Sequence, residues 1–108
     1  MSSIAILIPT EGDPSYVSIT DYKDLNKHAG CSCGTTVSHP SVECYAWVDD
    51  EGLLVNKVWN PSLSGIMECS STLVGNGIIC CSDASGDNVD VNKETVDMVE
   101  KFTGKQIV

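Results

Sequence analysis

The chain has 108 residues, of which 42% are apolar, and it sets 15 Asp and Glu against 6 Lys and Arg for a formal net charge of -9. That length holds one domain with one core and excludes a second, while the apolar share argues against wholesale disorder. So few cations exclude a nucleic-acid backbone and an anionic membrane as natural partners, because there is little positive charge to displace counterions.

The acidic charge either keeps a small protein soluble or attracts a basic partner, as a nucleic-acid mimic would. No stretch approaches the ~20 apolar residues of a membrane span. The apolar opening run, residues 1–9, lacks a basic leader and ends at Pro9, so a cytoplasmic location is expected. In that compartment the six cysteines, Cys31, Cys33, Cys44, Cys69, Cys80 and Cys81, read as reduced thiols used for apolar packing.

In chain order, residues 3–9 (SIAILIP) read as an Ile-rich strand stopped by proline. Residues 11–14 (EGDP) supply a turn, and the alternation Tyr16-Val17-Ser18-Ile19 pairs a second strand with the first. Thr20 or Asp21 caps a helix whose apolar face carries Tyr22, Leu25 and Ala29, with Gly30 at its end. Residues 31–37 are β-like but polar. Residues 42–48 form a stronger strand, with Cys44, Ala46 and Val48 on one face and Tyr45 and Trp47 on the other. The acidic run 49–52 (DDEG) predicts a turn, and Leu53-Leu54-Val55 returns from it as a further strand.

Asn60-Pro61 reads as an N-cap followed by proline in the first helical position, with the helix reaching about Met67. Residues 73–81 (LVGNGIICC) are strand-like, with glycines that mark a bulge, and residues 82–88 are a polar loop. Asn92 caps a last helix with Val96, Val99 and Phe102 along one side and Gly104 as its stop. The expected order is β-β-α-β-β-β-α-β-α. This is an α+β chain forming one domain over residues 1–108, with a mostly antiparallel or mixed sheet and two or three short helices on one face.

Three stretches carry a family resemblance: Ile6-Leu7-Ile8-Pro9-Thr10-Glu11-Gly12; Val48-Asp49-Asp50-Glu51-Gly52-Leu53-Leu54 followed by Asn60-Pro61; and Leu73-Val74-Gly75-Asn76-Gly77-Ile78-Ile79. In these the chain resembles the phage-enriched domain-of-unknown-function family numbered 3846. The resemblance implies a phage or prophage origin and an accessory role inside an infected bacterium. It offers no catalytic residues to carry over.

Several groups could carry chemistry. His28, Cys31, Cys33 and His39 combine ligand types that zinc accepts, but Cys-x-Cys is tighter than the usual zinc spacing, so packing thiols are preferred. The same residues offer a Cys–His pair without any surrounding nucleophile signature. The carboxylates Asp49, Asp50 and Glu51, and Asp83, Asp87 and Asp90, fit turns better than a calcium loop. Gly75-x-Gly77 lacks the lysine and helix start of a phosphate-binding loop. Tyr45, Trp47 and Trp59, with Lys57 and Asn60 nearby, could floor a pocket or anchor a partner, or could simply pack as a core cluster.

The reading that follows is a non-catalytic acidic module that binds a host or phage macromolecule, with a protein partner in the host cell and no cofactor. A sponge for a nucleotide-like signal is the alternative, and a zinc-stabilised module stands behind it. A strand edge could also join copies of the chain into a homo-oligomer.

Overall fold

The computed structural model describes residues 3–30, 34–49, 58–68 and 73–107. It begins with the strands β1 (Ser3–Ile8) and β2 (Ser15–Ile19), paired antiparallel from Ser3 opposite Ile19 to Leu7 opposite Ser15. Helix α1 (Tyr22–Ala29) follows. Asp21 caps it by accepting from the Lys23 amide, and Asp24 reaches back to accept from the Thr20 amide at 2.7 Å. Asp21 thus meets an orphan donor of the first turn and Asp24 ties back the residue before the cap, and the helix start favours negative charge at both.

Strands β3 (Gly34–Ser38) and β4 (Tyr45–Asp49) form the next hairpin, in register from Gly34 opposite Asp49 to Ser38 opposite Tyr45. Then come α2 (Pro61–Ile66), β5 (Gly77–Ser82), the short β6 (Asn88–Val89) and α3 (Lys93–Thr103). Asn60 and Asn92 cap α2 and α3, and Gly30 and Gly104 close α1 and α3 at φ of +68° and +70°. Those left-handed stops suit glycine because it has no Cβ to clash.

Among the described residues the sheet has six strands in the order β2-β1-β5-β4-β3, with β6 paired to β5 off that path, and its pairings are antiparallel. Two clusters of buried residues cover it, one on each face, where the length suggests a single core. Ile6, Ile8, Cys44, Ala46, Val48, Ile79 and Cys81 face α2 and α3 through Leu63, Ile66 and Val99. Ala5, Ile19, Ile78 and Cys80 face the other way, against Leu25 and Ala29 of α1. The α+β class expected from the sequence is therefore what the chain forms.

The placement of the helices differs from expectation, since they divide between both faces. The cause lies in β5: Ile78 and Ile79 are both 0% exposed, so consecutive residues point to opposite faces and each face needs a cover. Cys80 and Cys81 follow the same alternation and belong to different cores.

Other differences are local. The expected strand from Leu73 starts only at Gly77, because Val74 is taken by an isolated bridge to Trp59 and Gly75 turns the chain at φ +76°. The polar loop after β5 becomes a tight turn, with the Asp83 amide bonded to the Asp87 carbonyl, that leads into β6. The returning strand Leu53-Leu54-Val55 and most of the turn before it lie outside the described residues; the described neighbours of β4 are β3 and β5. Among the described residues no helix is long and apolar enough to cross a membrane.

Candidate functional site

The aromatic group expected from the sequence does not assemble as one cluster. Tyr45 and Trp47 are half-buried on the α1 side of the sheet, where β4 alternation puts them. The Trp47 indole N–H donates to Asn26 Oδ1 of α1 at 3.0 Å, and the ring lies so close over Gly34 that a Cβ there would come within 2.1 Å of it. The Tyr45 hydroxyl donates to Asn88 Oδ1, tying β4 to β6. Burial, with the neighbouring Cys80 thiol adding to it, pushes the Tyr45 phenol up to about 12. Trp59 is 55% exposed and is held by its bridge to Val74. Lys57 lies outside the described residues.

Asn60 is fully buried and fully engaged. Its Nδ2 donates to the Ile8 and Gly75 carbonyls, and its Oδ1 accepts from the Leu63 amide, each at 3.0 Å. A side chain with all these bonds made inside the protein is a structural bracket, not a contact for a ligand.

Of the zinc candidates, the two described histidines are separated. Cys31 and Cys33 lie outside the described residues. His28 sits in the last turn of α1, over one face of the sheet. His39 follows β3 on the opposite face, since its amide bonds the carbonyl of Cys44, a residue of the α2–α3 core. No three potential metal ligands gather among the described residues. Cys44, Cys80 and Cys81 are free, buried thiols, and burial pushes Cys44 up to about 11 and Cys80 up to about 12. Cys44 and Cys80 are therefore poor nucleophiles, because their reactive anion is suppressed.

The structure brings forward His39 and Glu68 instead. The His39 side chain is only 2% exposed, and its Nδ1 accepts from the amides of Ser41 and Val42 at 3.0 and 2.9 Å. These bonds build the β3–β4 turn and leave the proton of the neutral ring on Nε2. Nε2 stands 3.2 Å from Glu68 Oε2, yet its N–H misses the alignment of a hydrogen bond and has no other partner among the described residues.

Glu68 itself has φ +49°, just past the end of α2 where its amide bonds the Gly65 carbonyl. This left-handed position suits glycine; a residue with a Cβ costs about 1 kcal/mol or more there.

His39 separates two clefts. One, of about 600 Å³, lies between the β3–β4 turn and residues 82–84; its described lining carries Glu43 and Asp83 and no lysine. The other, of about 660 Å³, lies between α2, α3 and the His39–Glu68 contact, over Ile66, Met98 and Phe102, with Lys101 at its side. The sequence suggests His39 as a metal ligand or half of a Cys–His pair and Phe102 as part of the apolar side of the last helix, and gives Glu68 and Lys101 no role. A glutamate where a helix stop favours glycine was the available signal, and α2 is too short to have made that stop obvious.

The model of a protein family described as a domain of unknown function, DUF3846, matches residues 1–104. The chain belongs to this family. That agrees with the resemblance carried by the three stretches of β1, of the segment leading to Asn60-Pro61, and of β5. No curated protein and no solved structure matches the chain. Membership in DUF3846 thus supplies a relationship without an activity.

Proposed function

We propose that this DUF3846 protein is a phage accessory module without catalytic activity, which binds a basic macromolecule of the host or phage inside the infected bacterium. The observation that supports this most is the run through β6 into α3. Asp83, Asp87, Asp90, Glu94 and Asp97 are all exposed there, with Lys93 the one cation between them. The cleft beside this run adds Glu43, and Asp83 lines it as well.

Unit charges of one sign gathered at this density steer a basic partner and raise its rate of encounter, an effect that salt weakens. A host protein that handles nucleic acid is the kind of partner this charge would imitate a substrate for. The phage origin rests on the sequence resemblance alone.

The test is affinity capture from host lysate at about 50 mM and about 500 mM salt, where screening lengths differ roughly threefold. A basic protein should be held at low salt and released at high salt. Replacing Asp83, Asp87 and Asp90 together by lysine should abolish capture. Retention of nothing at low salt, or capture indifferent to the triple replacement, refutes the reading.

A further inference from the structure

The cleft bounded by α2, α3 and His39 has features that the acidic-module reading does not use. It combines a buried donor, an adjacent acceptor, an aromatic ring and a cation. The donor is the His39 Nε2–H, fixed on that nitrogen because Nδ1 is occupied by two backbone amides, and left without a hydrogen bond among the described residues. The acceptor is Glu68, 3.2 Å away, whose side chain is 62% exposed and so has open space beside it. The ring is Phe102, 52% exposed although it packs over Gly65, where a Cβ would meet it at 2.2 Å. Lys101 makes no ion pair with a described residue.

A buried donor is normally satisfied, and native structures leave few exceptions. Glu68 also holds a backbone conformation that glycine would adopt without strain, so its side chain stands there at a local penalty. Both irregularities meet at one point of one cleft, whose volume of about 660 Å³ falls in the range of small-molecule sites.

From this we infer that the cleft binds a small planar lactam, a ring presenting C=O beside N–H as the oxo-nucleobases do. The carbonyl accepts from His39 Nε2–H, and the ring N–H donates to Glu68 once that carboxylate has turned aside. Phe102 stacks on the ring, with Ile66 and Met98 beneath it, and Lys101 attracts an anionic substituent such as a phosphate. The inference does not rest on the acidic run, although Glu94 and Asp97 of that run share α3 with Met98, Lys101 and Phe102.

The probes are guanosine monophosphate and uridine monophosphate, which carry the lactam edge, against adenosine monophosphate, which lacks it, and phenyl phosphate, which keeps only a ring and an anion. Binding is read by amide chemical-shift changes at Glu68 and Lys101, with thermal shift alongside. Saturable binding of at least one lactam nucleotide is expected, with adenosine monophosphate at least ~10-fold weaker because it leaves the polar pair mismatched.

Two variants separate binding from folding. Glu68→Gly relieves the positive φ, so its Tm should hold or rise while lactam binding falls at least ~10-fold. His39→Asn keeps an oxygen to accept from Ser41 and Val42 but removes the Nε2 donor, with the same loss expected. No saturation by either lactam nucleotide at millimolar concentration overturns the proposal. So does equal affinity for adenosine monophosphate or phenyl phosphate, or undiminished binding by both variants.

Discussion

Replacing Asn60 by alanine removes three buried hydrogen bonds from a residue with 0% exposure. The cap on α2, where Oδ1 accepts from the Leu63 amide, accounts for about 1 kcal/mol of the loss. The Ile8 and Gly75 carbonyls each lose a buried donor, at about 1 kcal/mol or more apiece. The total is about 3–4 kcal/mol, a large part of the ~5–15 kcal/mol that holds a domain folded. In a chain of this size it lowers Tm by roughly 15–25 °C.

Urea denaturation followed by tryptophan fluorescence measures the change, with an unaltered slope as the sign that only stability has moved. Asn60→Ser keeps a capping oxygen and should recover only the helix share, about 1 kcal/mol. Asn60→Asp keeps the cap but turns an oxygen toward the Ile8 and Gly75 carbonyls, so at neutral pH it should gain nothing over alanine. If Asn60→Ala costs less than about 1 kcal/mol, or serine restores full stability, the bridge from α2 to β1 and Gly75 contributes nothing and the reasoning fails.

Gly34→Ala should destabilise by about 1–3 kcal/mol through overpacking against Trp47, whose ring would lie 2.1 Å from the new Cβ, and should shift tryptophan emission as the indole leaves Asn26. A stability within about 0.3 kcal/mol of the parent with unchanged emission counts against that contact. Burial raises Cys44 from 9.0 to about 11, Cys80 from 9.0 to about 12 and Tyr45 from 10.0 to about 12. The unfolded chain therefore gives up these protons before the folded one does. Their contribution is complete below pH 9 and is lost as pH rises toward 11 and 12. The urea midpoint should accordingly decline above pH 9, and a midpoint steady up to about pH 11 would contradict the burial of these groups.

Much of the local structure was legible because its causes are local. Asp21 with Gly30, Asn60 with Pro61, and Asn92 with Gly104 are cap-and-stop signals whose hydrogen bonds run to near neighbours in the chain. The alternation of Cys44, Ala46 and Val48 against Tyr45 and Trp47 follows from the two-residue period of a strand. The candidate site was far less legible. His39 stood only among candidate ligands that the spacing did not favour, because residue type was all there was to judge by; its role depends on the fold of the turn around it and on Glu68, 29 positions later. Trp59 and Asn60 are adjacent in the chain, yet one is 55% exposed and the other fully buried, and no periodicity separates them.

By itself, the order of residues determined the α+β class, the β1–β2 hairpin, the three capped helices and the acidic excess. Each depends on short-range sterics, on capping or on composition. Only the tertiary structure decided that helices cover both faces of the sheet, that Asn60 braces β1, and that His39 meets Glu68 beside an open cleft. Those outcomes follow from β5 lying between β1 and β4, a pairing of strands far apart in sequence that local preferences leave undetermined.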